Sequence, residues 1–516
     1  MVPKRERSVL VSSIDSSKGQ TNGKVKCITS PVTSNKAFVI AVVFSSLVLD
    51  FGSEAKSQYI VQFTRDLSRT ANSTILRHQN VTKNACGKKL NESSMDEIMG
   101  QKLAAKWSFY CNTVEHVTTL PIVMLFGIYS DKIGRKPLFL ISTVGMFLEY
   151  GIKAVAIYMK LPMYFFVIAA GVEGLTGCRY LFSIATNASI ADTTERNQTR
   201  TTALALVDVF LGIGTFAAKI GAGYMISSMG YFFPVVLTAG LNIFMVIFII
   251  GFVPETLQRK SKKKPTFEIF KDSMSFLYDK TQIHGNKRWK FFYCFFMFIS
   301  LEISGMAVSG ISTIYYMGFP FCWNSKSIGW YSASTSLIHT TIGAMLLKLF
   351  VKHGKDEPLA IIGLMSSISN KVVMGLASQS WMLYLGTSVG VLSMLQGVVI
   401  RSALSRMVIE SKQGSFFMVY ELVVILTAIA GTSLATNIYQ ATVTILRGFP
   451  FLVAACLYFF VVLLVIIICI FGGMHPEAGS KRTSTAYKRT SDIATYGSTT
   501  QHPSNVNSGG NISSEV

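Results

Sequence analysis

Asp208, Thr215 and Lys219 stand seven and eleven residues apart, a spacing that puts all three on one face of an α-helix. A carboxylate, a hydroxyl and an ammonium on one face can carry a proton and hold an anion. Their setting is an apolar run near 201 to 227, where an ionisable group costs a few kcal/mol or more unless it faces water or a partner. Further charges sit in comparable runs: Asp50 and Glu54 one turn apart, Glu149 and Lys153 at pairing distance, then Glu302, Arg401 and Glu421. Asp50 and Glu54 read either as a buried like-charged pair that keeps a proton available or as groups exposed near an outer mouth. Glu149 with Lys153 also fits a plain intrahelical ion pair. For protonation the candidates are Asp208, Glu302 and Glu421, and for contact with a substrate Arg401, Lys219 and Thr215. Arg401 lies near the end of its run, where snorkelling to the interface is the alternative. Arg200 precedes Asp208 by eight residues and Gln413 precedes Glu421 by eight, a correspondence expected of two related halves around a central site.

The elements that carry these residues are membrane spans. The 516-residue chain is 50% hydrophobic and 15% charged, too apolar for a soluble protein of this size. Apolar runs long enough to cross about 30 Å of hydrocarbon fall near 37 to 60, 107 to 129, 137 to 159, 163 to 190, 201 to 227 and 231 to 253. A second set falls near 289 to 317, 328 to 351, 359 to 379, 382 to 404, 414 to 437 and 449 to 471. The expectation is an all-α membrane protein of about twelve transmembrane helices in two pseudo-symmetric six-helix halves. Residues 1–36 form a cytosolic N-terminal tail without the apolar core of a cleavable signal, and 37–253 the N-terminal half. A charged cytosolic linker, 254–288, precedes the C-terminal half at 289–471, and a Ser- and Thr-rich cytosolic tail predicted to be disordered fills 472–516. Basic short loops at 130 to 136, 352 to 357 and 405 to 412 belong on the cytosolic side. The loop 61–106 belongs outside, because it carries three glycosylation sequons, at Asn72, Asn80 and Asn91.

Other function classes fall away. The net charge of +21 sits in tails and cytosolic loops, so it answers to topology and anionic lipid, and no nucleic-acid partner is expected. Gly386-Thr-Ser-Val-Gly390 fits the serine-hydrolase elbow by spacing, but it begins a membrane helix with no preceding strand, and small residues four apart let helices pack closely. With no phosphate loop and no His-Glu-x-x-His metal helix, the chain reads as no enzyme, with no cofactor and no metal. Among eight cysteines only Cys86 and Cys322 fall in predicted external loops. An external disulfide between them and a pair of unpaired thiols both remain open at this point.

One charged interruption bears on mechanism. Gly-Ile-Tyr-Ser-Asp-Lys-Ile-Gly-Arg-Lys, at 127 to 136, turns the chain between the second and third spans. Its Gly127, Asp131, Gly134, Arg135 and Lys136 resemble the signature loop of the major facilitator superfamily. The glycines would let helices approach, and Asp131 would pair with Arg135 or a helix dipole in one conformation only, which makes a gate. Gly251-Phe-Val-Pro-Glu-Thr256 resembles the end of the sixth span in that superfamily. A closer resemblance is carried by Pro320-Phe-Cys-Trp-Asn-Ser-Lys-Ser-Ile-Gly-Trp-Tyr-Ser-Ala333, Arg401-Ser-Ala-Leu-Ser-Arg406, Gln413-Gly, Tyr439-Gln-Ala-Thr and Gly448-Phe-Pro-Phe451. Together with Ile190-Ala-Asp192 and Ala203-Leu-Ala-Leu-Val-Asp208, these resemble the proton-coupled folate transporter family over about 107 to 471. Asp208 in place of the folate carrier's glutamate, and no histidine in 289 to 317, bring the chain nearer to the lysosomal steroid-conjugate exporter branch. The resemblance implies a twelve-helix carrier with cytosolic ends and a Cys86 to Cys322 bridge. It implies secondary transport of a small organic solute, an organic anion, with protons, by alternating access. A membrane sensor or scaffold that keeps the fold without cycling is the second class, and uniport without protons a variant of the first. A multi-pass location in the plasma membrane or the endolysosomal membrane fits both.

Overall fold

The computed structural model describes residues 31–75, 93–193, 198–256, 288–339, 356–408 and 413–474. In the first half these form α1 (Pro31–Ile75), α2 (Ser93–Ile133), α3 (Lys136–Tyr158), α4 (Tyr164–Gly174), α5 (Cys178–Thr193), α6 (Gln198–Met229) and α7 (Phe232–Phe252). The second half contributes α8 (Arg288–Ser309), α9 (Ser312–Met317), α10 (Ser325–Leu337), α11 (Asp356–Gly375), α12 (Ser380–Val389), α13 (Met394–Met407), α14 (Gln413–Thr442) and α15 (Phe449–Ile470). Ten segments among the described residues are long and apolar enough to cross a membrane. The remaining two of the predicted twelve are α2, whose middle carries Asn112, Glu115 and His116, and the eighth span, described only as far as His339.

The predicted external loop 61–106 is corrected to a shorter one. Residues 61 to 75 contain no Gly or Pro and continue α1 to Ile75, while α2 already starts at Ser93. These polar extensions pack on each other: Val61, Thr64, Ser68, Gln101 and Ala104 are buried. A Cβ at Gly100 would stand 3.2 Å from Arg65 Cα, so glycine there lets the two backbones meet. Apolar run length finds where a helix enters the membrane and is silent on where it ends.

Three predicted spans are interrupted. The fourth breaks at Leu175–Gly177, where Gly177 takes φ +83° and Cys178 φ +50°. The seventh breaks between α8 and α9, and the tenth passes through a 3-10 turn at Gly390–Ser393. Gly390 packs on Asn370, a Cβ there meeting its Nδ2 at 2.7 Å, and Asn370 Nδ2 donates to Gly386 O at 2.6 Å. Ser388 of the Gly-x-Ser-x-Gly run donates to Tyr384 O at 3.0 Å, so this segment is a packing surface.

One buried cluster centred on Phe291, Phe298 and Ile400 fills the second half, and clusters around Leu138 and around Tyr150 fill the first. Another spans both, packing Ile60 and Ala104 with Tyr315, Trp323 and Tyr439. That joint closes the end of the molecule opposite the 127 to 136 turn. Arg65 donates to Met317 O at 3.0 Å, Phe319 N–H donates to Glu97 Oε1 at 2.9 Å, and Tyr439 OH donates to Gln101 Oε1 at 2.9 Å. On the neighbouring α6–α10 face a Cβ at Gly223 would meet Ser325 O at 2.6 Å, and one at Gly329 would meet Gly223 Cα at 3.1 Å. Two helices from different halves therefore touch backbone to backbone.

Candidate functional site

The predicted face of the fifth span meets the first span. Thr215 Oγ1 donates to Asp50 Oδ2. One turn further, Lys219 Nζ reaches across to Ser336 Oγ at 3.1 Å, which links the halves. Glu54 is buried, accepts from Gln58 Nε2 at 2.9 Å, and has Lys219 and Asp50 as its charged neighbours. Thus Asp50, Glu54, Thr215 and Lys219 form one group, and of the two readings of the acidic pair the buried one holds for Glu54. Asp208 lies on α6 two turns before Thr215, and its side chain lies outside the description.

A second group comes from α8, α13 and α14. The Arg401 guanidinium stands over the Tyr420 ring at 4.9 Å, a cation–π contact, and Tyr420 is held from behind by Phe298, with stacked rings 4.5 Å apart. Arg401 acts electrostatically on both Glu302 and Glu421. Three residues singled out separately in the sequence are therefore assembled around one guanidinium. Glu421 also lies close to Ser183 of α5 and feels Arg179, so its environment is shared between the halves. Arg401 is itself exposed, as befits a group lining an open path.

The third group was only partly readable. Glu149 and Lys153 do pair along α3, yet they belong to a larger buried network. Lys56 Nζ of α1 lies 3.2 Å from Glu115 Oε2 of α2 and 3.6 Å from Glu149 Oε1. The Cys178 thiol, turned by the break before α5, donates to Glu173 Oε1 at 3.0 Å and to Glu115 Oε1 at 3.3 Å. Lys56, Glu115, Glu173 and Cys178 were missed because their partners lie on different helices. A charge inside each apolar run was the available signal. Glu115, Glu173 and Cys178 place metal-ligating atoms within 4.8 Å of one another, but Lys56 already sits on Glu115 and supplies the cation that a metal would.

At the 127 to 136 turn, Gly134 has φ +111°, and a Cβ there would collide with the Glu255 carboxylate. Arg135 N–H donates to Glu255 Oε1 at 2.8 Å, Lys136 N–H to Glu255 Oε2 at 3.2 Å, and Lys136 Nζ to Ile250 O at 2.7 Å. A carboxylate at the start of α3 matches the helix dipole. The partner in place is thus Glu255, from the Pro-Glu-Thr segment; Gly127 and Asp131 lie on α2 with side chains outside the description. Across the pseudo-symmetry, Asp356 in the first turn of α11 accepts from Arg406 at the end of α13.

Of the covalent expectations, Cys322 is disulfide-bonded, while Cys86 lies outside the described residues. Asn80 and Asn91 lie outside them too, and Asn72 is on α1 with its side chain outside the description.

The sequence profile of the Major Facilitator Superfamily matches residues 95–304. The rat proton-coupled folate transporter is 29% identical over 378 residues, covering 72% of this chain and 80% of that protein. The mouse lysosomal proton-coupled steroid conjugate and bile acid symporter is 26% identical, covering 81% of this chain and 91% of that one. The folate carrier is thus the more identical of the two, and the lysosomal symporter is matched over more of its length. Among solved structures, a human organic anion transporter superposes with a TM-score of 0.59 at 13% identity, covering 83% of this chain and 99% of its own. The xylose transporter of E. coli gives 0.53 at 13% identity, covering 83% and 98%. The two structures establish the fold, and the relatives are transporters, not enzymes. An all-helical bundle in two halves, with charges gathered where they meet and a signature turn between its second and third spans, carries a Major Facilitator Superfamily match over residues 95–304 and is similar to the proton-coupled folate and lysosomal steroid-conjugate carriers.

Proposed function

We propose that this protein is a secondary active transporter that moves a small organic anion together with protons by alternating access. The observation that carries the reading is the Glu302–Arg401–Tyr420–Glu421 group, which lies close to the first half at Ser183. One guanidinium faces two carboxylates, so protonating one of them balances that pair, and an arriving anion competes with the other for Arg401. Rocking of the halves changes the distance between Glu421 and α5, which ties that exchange to conformation. Arg401, Lys219 and Thr215 are the proposed substrate contacts, and Glu302, Glu421 and Asp208 the proposed proton carriers. Bidentate recognition of a carboxylate or sulfate is a task that arginine performs better than lysine. The 127 to 136 turn, with Glu255 seated on it, is the proposed gate. Support for an anionic cargo comes from the relatives, whose names specify folate in one case and steroid conjugates and bile acids in the other.

The test is uptake into proteoliposomes under an imposed pH gradient, with a radiolabelled reduced folate, a steroid sulfate and a muramyl dipeptide. Saturable uptake of one of them that collapses with a protonophore is the expected result. Saturable binding of a candidate to the purified protein, with no movement in either direction, would overturn transport in favour of a sensor.

A further inference from the structure

Behind the Arg401 group the second half encloses a separate polar cavity of about 270 Å³, lined by His339, Ser367, Asn370, Lys371, Gln396 and Tyr458 among others. Helix geometry changes twice at its wall. The eighth span widens into a π turn at Ile338 and His339, a departure often found at functional sites. The 3-10 turn Gly390–Ser393 separates α12 from α13, and Ser393, at the N-cap of α13, makes no capping hydrogen bond through its side chain. Ser393, Met394 and Gln396 border the cavity where the helix passes from the 3-10 turn into α13. Irregular backbone at membrane depth is tolerated where it lines such a space.

The side chains around this space lack partners. Among the described residues no carboxylate acts on Lys371. Ser367 Oγ, His339 Nε2 and Gln396 Oε1 are buried with no hydrogen-bond partner, and Ser367 and Gln396 are only 3% and 6% exposed. An unpaired buried polar group costs about 1–3 kcal/mol, and here three of them stand with an uncompensated ammonium around one cavity. Two other buried lysines differ in this respect, Lys56 and Lys153 each sitting on a carboxylate.

We propose that this cavity is a binding site for a small inorganic anion, separate from the Arg401 site. Lys371 supplies the charge, the Ser367 hydroxyl donates a hydrogen bond, and His339 and Gln396 complete the polar wall. At about 30 Å³ per water molecule, the volume accommodates chloride or phosphate with a partial water shell and excludes a whole multi-ring solute. Tyr458 lines the cavity and lies within the field of Glu302, so an anion here adds negative charge one side chain away from a proposed proton carrier. This site does not depend on the proposed transport cycle.

The experiment uses the purified full-length protein in gluconate buffer at fixed pH and ionic strength. Its melting temperature is followed by tryptophan fluorescence while gluconate is exchanged for chloride, phosphate or sulfate. The expected result is a saturable rise with at least one of these anions, lost in Lys371→Gln, retained in Arg401→Gln, and shifted about tenfold to higher concentration in Ser367→Ala, the scale of one good hydrogen bond to an ion. No rise in the unmodified protein overturns the proposal. So does a rise lost in Arg401→Gln and kept in Lys371→Gln, which places the anion at the central site, or one given only by organic anions, which makes the cavity a subsite for a solute's acid group. If Lys371→Gln does not fold, an unchanged midpoint in Ser367→Ala overturns the proposal by itself.

Discussion

Glu421 is where side chains of both halves converge, since Arg401 and Glu302 belong to one half and Ser183 and Arg179 to the other. A residue so placed tells each half what the other is doing. Replacing it by glutamine keeps the shape and removes the titratable proton. For Glu421→Gln we therefore expect exchange of labelled for unlabelled solute to persist in proteoliposomes without a gradient, while accumulation driven by a pH gradient falls about tenfold or more, a change of roughly 1.4 kcal/mol in coupling. Equal loss of both activities would assign Glu421 to solute binding. Sequence reasoning located Glu302, Arg401 and Glu421 from their cost in an apolar setting, but not their convergence, because no spacing rule connects residues on three helices. The Glu149–Lys153 pair was legible for the opposite reason, being one turn apart on one helix. Lys56, Glu115 and Glu173 became meaningful only when α1, α2 and α4 came together.

Helices were the most readable elements, and their interruptions the least. An apolar run of roughly 20 residues has only one way to satisfy its backbone in lipid, so the spans followed from composition. The breaks at Leu175–Gly177 and Gly390–Ser393 have no comparable signature, since a glycine inside a helix is tolerated as often as it ends one. Nor did the polar ends of α1 and α2 announce that they continue as helix. The turn between α2 and α3 was legible through Asp131, with no sign in the sequence that Glu255, 120 residues beyond Arg135, would seat on the same backbone. Its strained point is Gly134, where a side chain meets both an unfavourable φ and the Glu255 carboxylate. Gly134→Ala should cost about 1–3 kcal/mol at that turn and reduce the initial rate of uptake by roughly tenfold or more at equal surface expression, as measured by uptake per biotinylated transporter. Unimpaired uptake would remove the turn from the transport cycle.

On the scale of the whole molecule, the end opposite the 127 to 136 turn joins the two halves by packing, by hydrogen bonds and, on our reading, by a covalent bond, and a second cluster packs Val123 and Tyr180 on Leu422 and Ile425. Cys322 lies beside the joint made by Phe321, Trp323 and Tyr316, and a bridge to Cys86 would tie the loop between α1 and α2 to the second half. Peptide mapping of the non-reduced protein should recover the Cys86 and Cys322 peptides as one linked species that separates on reduction. Recovery of either as a free thiol would overturn the pairing.

The contact of Gly223 with Gly329 has a consequence for pharmacology. A seal made of two bare backbones has no side chain of its own for a compound to displace. A compound arriving from that side in this conformation gains nothing from the contact itself and must find its hold in the side chains around it, as in the hollow lined by Phe321, Trp323 and Ser327.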